Sequence, residues 1–292
     1  MSLSENPTSP DESPSFRPFY KVPNSLLINQ TLSLIDQQKA AIDSFEDVDP
    51  TLLNTIQQKL KFHWTYDSNA IEGSSLTLGE TMFFLQHGMT AEGKPFQDYL
   101  DAKNHSEAIE LLYDIVSNQR PISVAIIKEF NALLLSGVRS TKAIDQFGNP
   151  SQKKANGGAF KTLPNHVLQS DGTIHYYVEP LQVPEQMDEL VAWINEKESS
   201  LHPVVIAALS HYNMVRIHPF DDGNGRGARI LMNLILIKKN FPPAIVRNEQ
   251  RRKYIEAITK ADKGDLAPFI AFIAQSLYQT QEMILEDLKK MK

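Results

Sequence analysis

Cysteine is absent from the 292-residue chain. Disulfides, thiolate-bound zinc and a cysteine nucleophile are thereby excluded. No apolar run approaches the ~20 residues that cross a bilayer as a helix, so no membrane partner is expected. An excess of basic charge is missing too. Lys+Arg number 29 against 35 Asp+Glu, a formal net charge of −6. A non-specific nucleic-acid binder carries the opposite balance, so nucleic acid is not an expected partner, although a local basic site stays open. The opening MSLSENPTSPDESPSF has neither a basic n-region nor an apolar h-region. It does not read as a secretory signal, and a cytoplasmic location is expected. Internal repeats and a Gly/Ser linker are also missing.

What is present suits a packed helical protein. Hydrophobic residues are 41% of the chain and charged residues 22%, enough for a sizeable core. Residues 1–18, rich in Ser, Pro, Asp and Glu, are expected to be a mobile tail. The helical period then takes over. Leu34, Ile35, Ile42 and Phe45 mark a first helix from about Leu26. Ile56, Leu60 and Trp64 mark a second over Leu52–Ile71, with Gly73 just past its end. Further helices are predicted over 77–87, 98–118 and 123–136, the last with Ile127, Phe130 and Leu134 on one face. Another starts at Pro184, and the rest cover 203–217, 226–239, 249–262 and 266–288. Trp64 and Trp193 read as core residues. Between 137 and 183 the helical period is lost. Phe160–Leu168 and Thr173–Val178 read as two strands around the turn Ser170-Asp171-Gly172, a single β-hairpin. The expectation is a mainly α protein: a helical bundle with one short β-hairpin and an N-terminal helical extension. Its parts are the tail 1–18, an N-terminal helical region 19–118 and a core 119–292.

The stretch HPFDDGNGRGAR, His218 to Arg229, joins two apolar helices and carries the chemistry. Pro219 biases His218 out of helical dihedrals. Gly223, Gly225 and Gly227 permit positive φ and close approach of a ligand to the backbone. N–H groups at such a turn and at the following helix N-terminus form an anion site. Arg226 and Arg229 are three apart and are expected to point at one phosphate chain. Asp222 suits Mg²⁺, which takes one or two carboxylates plus phosphate oxygens. His218 can accept a proton near neutral pH. Together these make a phosphate-transfer constellation. A lone Asp-Gly-Asn turn is more often structural, but the full run specifies many positions at once. No GxxxxGK(S/T) loop, no GxGxxG after a strand and no kinase signature set competes with it. Asp221 and Asp222 are adjacent, unlike the flanking carboxylates of a glycosidase.

HPFDDGNGRGAR matches the Fic-domain signature HxFx(D/E)GNGRxxR at every specified position, and the chain resembles that family. Ser68-Asn69-Ala70-Ile71-Glu72-Gly73 is similar to the family's inhibitory-helix motif (S/T)xxxE(G/N). Residues from about 20 to 100 resemble the segment often joined to a Fic core. Lys253-Tyr254 through Ala261-Asp262, then Gly264-Asp265-Leu266-Ala267-Pro268-Phe269, resemble the end of that core.

The resemblance implies transfer of AMP from ATP to a protein Ser, Thr or Tyr hydroxyl, with release of pyrophosphate. His218 would be the base and Asp222 would bind Mg²⁺. Asn224 and the backbone at Gly223 and Gly225 would hold the α- and β-phosphates, and Arg226 and Arg229 the outer ones. Gly227 completes the glycine set and Phe220 would anchor the loop in the core. Glu72 would be a brake pairing with Arg229, with Ser68 in the same contact. A carboxylate at a helix C-terminus meets an unfavourable dipole, so a cationic partner suits it. The hairpin would be the family's flap, where a target segment, from another protein or from this one, adds as a strand. Leu163, Asn165 and His166 are the flap candidates for nucleotide or target contact. Tyr254 and Ile255 would border the adenine and Asp262 would contact it, where some relatives carry Asn. The basic cluster Arg247, Arg251, Arg252, Lys253 reads as a solvated helix face. A homo-oligomer is compatible with the sequence, and no feature fixes one. Three other functions stay open: removal of AMP at the same site, a closed nucleotide-sensing interaction module, and transfer of a different nucleotide or phosphate group.

Overall fold

Ser25, Asp49, Thr77 and Ser123 each accept a backbone N–H in the first turn of a helix, and these caps set where four helices begin. In the computed structural model, which describes residues 17–23, 25–144, 150–168 and 174–290, they open α1 (Leu26–Asp43), α2 (Pro50–Ile71), α3 (Leu78–His87) and α5 (Val124–Leu134). Thr77 and Glu80 cap each other reciprocally. Between α3 and α5 runs α4 (Phe96–Ser117). Proline sits in the first turn of α6 (Val183–Lys197), α7 (Pro203–Ile217) and α10 (Ala267–Lys289), where its missing N–H costs nothing. The remaining helices are α8 (Asn224–Lys238) and α9 (Arg251–Asp262). The helix pattern agrees with the sequence reading, apart from ends that differ by a few residues.

One apolar core runs from Tyr20 to Leu288, with Trp64 and Trp193 inside it at 2% and 9% exposure. α7 and α8 are buried almost all round and lie at its centre. α8 packs on α7, α4, α5 and α2, while α1 lies along α10. The N-terminus of α8 is therefore held from several sides.

The strand region differs from expectation. There are two antiparallel ribbons among the described residues, not one. β1 (Ser140–Ile144) pairs with β2 (Pro150–Lys154), placing Ser140 opposite Lys154. β3 (Val167–Leu168) pairs with β4 (Ile174–His175), placing Val167 opposite His175. The second ribbon sits where the hairpin was predicted but is only two residues long on each side. Its turn, Ser170-Asp171-Gly172, lies outside the described residues. Phe160–His166 is not a strand. Pro164 has no N–H to donate to a ladder, and the Lys161 N–H donates to the Pro219 carbonyl instead (2.8 Å). The first ribbon, STKAI with PSQKK, lacks apolar alternation and so gives no strand signal. The expected tail also lies outside the described residues up to residue 16. Arg17–Tyr20 forms a 3₁₀ turn, and the Tyr20 ring sits 5.1 Å from that of Trp193.

A second correction concerns the basic cluster. Arg247 donates to Asp67 (3.1 Å) and to His63 Nδ1 (2.9 Å), and the Asn248 N–H donates to Asp67 (2.9 Å). Arg251 donates from Nε to the Ile71 carbonyl at the end of α2 (2.9 Å). Arg247 and Arg251 thus tie α2 to the start of α9, although Arg251, like Arg252 and Lys253, is exposed. Burial and the neighbouring Arg247 push the His63 imidazole down from 6.5 to about 4. Between those values the folded chain binds fewer protons than the unfolded one. Stability therefore falls as pH drops through that window, and the penalty is complete below it. His63→Gln keeps an acceptor for Arg247 and removes the titration. It is expected to flatten the loss of Tm between pH 6.5 and 4, and an unchanged slope contradicts the assignment.

Candidate active site

His218 ends α7 in the left-handed conformation, φ 51° and ψ 59°, with its N–H on the Met214 carbonyl (3.0 Å). A non-glycine residue adopts this only where its surroundings impose it. Here Pro219 blocks helical continuation, and Phe220 is fully buried with its ring 5.6 Å from Phe160. The chain turns and re-enters a helix at Asn224, two residues earlier than predicted. Of the three glycines only Gly223 uses positive φ, at 75°. Gly225 and Gly227 are helical, which corrects the expectation for them, and their requirement is space. A Cβ on Gly225 would lie 2.3 Å from Glu72 Oε1, and one on Gly227 would lie 3.0 Å from Met214 Cε.

Three asparagines pin this loop. Asn224 accepts the Phe220 N–H (2.9 Å) and donates to the Phe220 carbonyl (2.8 Å). Asn165 donates to the same carbonyl (2.9 Å) and takes a hydrogen bond from Lys161 (2.6 Å). Asn131, fully buried on α5, donates to the Asp222 carbonyl (2.9 Å) and accepts the Gly158 N–H (2.9 Å). Sequence reading missed Asn131. Its signal was a lone amide beside the apolar face of Ile127, Phe130 and Leu134.

The two arginines do not share one target. Arg229 is 2% exposed. It donates from Nε to the Ser68 hydroxyl (2.9 Å), and from a terminal nitrogen to the Ser68 carbonyl (2.9 Å) and to Glu72 (2.7 Å). Arg226 instead lies 2.9 Å from Asp101 on α4, and only 4.0 Å from Asp222. Each arginine thus has its own carboxylate partner in the protein. Asp101 belongs to no motif and gave no signal. Burial opposes the charge on Glu72, but Arg229, Arg226 and Arg251 outweigh it and hold its carboxyl below the usual range. Burial likewise opposes the charge on Arg229. Glu72 and the Tyr254 hydroxyl outweigh it and hold the guanidinium above its ordinary value.

Tyr254, expected beside an adenine, lies beneath the site at 2% exposure. Its hydroxyl is close enough to Arg229 to couple to its charge and stands 2.8 Å from His211 Nε2. Burial keeps His211 neutral, so Nε2 is free to accept the hydroxyl proton. Ile255 is 43% exposed and Leu163 66% exposed. His166 accepts the Tyr177 N–H (3.1 Å) and lies 3.3 Å from Glu179. Asp262 accepts the Tyr212 hydroxyl (3.1 Å), and burial pushes its carboxyl up.

Glu72, His218, Asp222, Gly223, Gly225 and Arg226 line one cavity of about 570 Å³, with Asp101 on its wall. That size fits a small-molecule site. Asp222 accepts the Gly223 N–H (2.6 Å) and keeps 46% side-chain exposure. Among the described residues no group of three or more His, Cys, Asp or Glu could hold a metal ion. The half-exposed Asp222 carboxylate on the cavity wall is the kind of ligand a hard cation takes beside phosphate oxygens. The His218 ring lies on that of Tyr177, centroids 3.8 Å apart at 18°. Sequence reading missed Tyr177 as well. No helix of the described residues is long and apolar enough to cross a membrane.

Fold and site together define a helical bundle in which a glycine-containing loop at the start of a central helix lines a cavity, with Glu72 at the end of α2 on its wall. Residues 121–236 match the Fic/DOC family. Protein adenylyltransferase Fic of Drosophila willistoni is 31% identical over 260 residues, 89% of this chain and 48% of that protein. The chain spans about half the length of the curated relatives it matches. A Fic domain containing signaling protein from Bacteroides thetaiotaomicron superposes with a TM-score of 0.75 at 27% identity, covering 90% of this chain and 97% of that one. Fic-1 from C. elegans gives a TM-score of 0.76 at 27% identity over 91% of this chain and 74% of that one. Residues 121–236 therefore carry a Fic/DOC domain, and the mainly α bundle of the chain is the fold of those solved structures.

Asn131→Ala leaves the Gly158 N–H and the Asp222 carbonyl without their partner. It is expected to cost about 1–3 kcal/mol in urea unfolding and to speed hydrogen exchange at the Gly158 amide. Unchanged stability and exchange would remove Asn131 from the bracing of the loop.

Proposed function

We propose that this chain is a self-inhibited protein adenylyltransferase, moving AMP from ATP to a Ser, Thr or Tyr hydroxyl of a protein. The observation that carries the reading is the cavity joining His218, Asp222, the N-terminus of α8 and Arg226, with Arg229 behind it held by Glu72. The name carried by the curated relatives supports it.

In this reading the target oxygen attacks the α-phosphorus and His218 takes its proton. The bond to the β-phosphate oxygen breaks and pyrophosphate leaves. The N–H of Gly225, and that of Gly223 once Asp222 releases it, would face the phosphates, where the helix N-terminus favours negative charge. Asn224 acts by fixing the loop and Gly227 by letting α8 lie close to α7. Arg226 and Arg229 take the outer phosphates once Asp101 and Glu72 give way. Asp222 would hold the divalent cation, Mg²⁺ by its carboxylate-and-phosphate ligand set, which supplies charge neutralisation along the phosphate chain. Leu163, Asn165 and His166 lie on the flap side, where a target segment docks, from another protein or from a second copy of this chain. Ile255 and Asp262 are left as the candidates on the base side. A cytoplasmic site of action suits a cysteine-free chain.

Glu72 supports a second reading. It is a charged carboxylate, 43% exposed on the cavity wall. A carboxylate there can orient a water for removal of AMP from a modified protein. The two readings separate by what its loss does.

Intact-protein mass spectrometry after incubation with ATP and Mg²⁺ tests both. Glu72→Gly is expected to gain an AMP-sized mass far more strongly than wild type, and Glu72→Gly/His218→Ala is expected to gain none. A gain that survives loss of His218 overturns the base. No gain in any variant, with or without added protein targets, overturns the braked transferase.

A further inference from the structure

We infer that Tyr177 is a positioning residue for His218, its ring forming a fixed platform under the imidazole. The inference rests on His218 being the base proposed above. The two rings are 3.8 Å apart and nearly parallel, whereas every other aromatic pair among the described residues is at 4.7 Å or more. Tyr177 is itself held. Its N–H donates to His166 Nδ1 (3.1 Å), and the His175 ring of β4 meets it edge-on at 4.7 Å. The short ribbon β3–β4 and the residues just after it thus press one aromatic face onto the end of α7.

The stack gives His218 two properties that its own loop does not. The first is orientation. Nδ1 lies 3.4 Å from the Val215 carbonyl, and a proton there leaves Nε2 as the basic nitrogen. With one ring face covered, the imidazole cannot turn about its side-chain bond without breaking the stack. The second is charge. The negative face of an aromatic ring attracts a cation, so Tyr177 stabilises the imidazolium that forms when the base takes its proton. Other charged groups face the same region. They are Asp221 and Asp222 of the same loop, Glu72 from α2, Lys161 and His166 from the segment before β4, and Asp262 from α9. A substitution at Tyr177 leaves all of them in place, so its effect on His218 reports the ring.

Two variants separate ring from bulk. Tyr177→Leu keeps apolar volume and removes the aromatic face, and Tyr177→Phe restores the face without the hydroxyl. The first readout is the titration of the His218 imidazole by NMR on the full chain with labelled histidine, assigned by comparison with His218→Ala. Tyr177→Leu is expected to lower the midpoint by about half a unit, the size of a modest cation–π contact. Tyr177→Phe is expected to recover most of that shift. The second readout is AMP transfer in the Glu72→Gly chain. There Tyr177→Leu is expected to lower kcat about tenfold or more while KM for ATP stays within about twofold, and Tyr177→Phe is expected to recover most of the loss. An unchanged His218 midpoint in Tyr177→Leu overturns the inference. So does a Tyr177→Phe variant as impaired as Tyr177→Leu, which would assign the effect to the hydroxyl. If no chain transfers AMP yet the midpoint moves as expected, the platform stands and the transferase reading fails.

Discussion

A guanidinium cannot lie in a protein interior unless its charge and its donors are met there. Arg229 sits on the first turns of the central helix α8 at 2% exposure, and much of the surrounding architecture answers that requirement. Ser68 supplies two acceptors and Glu72 the countercharge, both from α2. Tyr254 lies beside the guanidinium from α9, its hydroxyl in a hydrogen bond with His211 on α7. Three helices therefore converge on one cation. Only one of its partners, Glu72, is both charged and at the cavity wall. If that carboxylate swings away, Ser68 still aims the guanidinium, and its charge is left for an incoming anion. In the proposed reading such a brake would hold the site closed without disordering it.

The loop beside this cation is kept rigid by amides rather than by charges. Asn131, Asn165 and Asn224 each hydrogen-bond the backbone of the turn that follows His218. A neutral amide both donates and accepts, so it can satisfy buried backbone without adding a charge that would compete for phosphate. The acids lie further out, with Asp222 at the mouth and Asp101 against Arg226. Positioning and fixed dipoles are what phosphate chemistry asks of a protein, since the reaction itself needs little covalent help.

Much of this was legible in the sequence, for physical reasons that differ by element. Long helices with apolar stripes declare themselves through periodicity, and Trp64, Phe220 and Trp193 announced the core. The loop was legible because glycine, proline and charge are concentrated in twelve residues, and Ser68 and Glu72 because they sit in a spaced motif at a helix end. Other features were hidden. The polar ribbon β1–β2 carries no alternation to read. Asp101 and Tyr177 are ordinary residues whose roles come from what folding sets beside them. The glycines were read for φ when two of them were needed for space, a distinction that only the position of Glu72 and Met214 reveals. Arg247 looked like part of a solvated face because sequence spacing does not show that α2 crosses there.

The central claim is that Glu72 withholds Arg229 from the outer phosphates of a nucleotide. Calorimetric binding of a non-hydrolysable ATP analogue and of AMP, with Mg²⁺, to wild type and to Glu72→Gln tests it most directly. The substitution keeps the shape of the side chain and removes its charge. The triphosphate is expected to bind Glu72→Gln about tenfold or more tightly than wild type, with AMP affinity little changed, because AMP has no outer phosphates to meet the arginine. Equal affinities of the triphosphate for both chains would contradict the account.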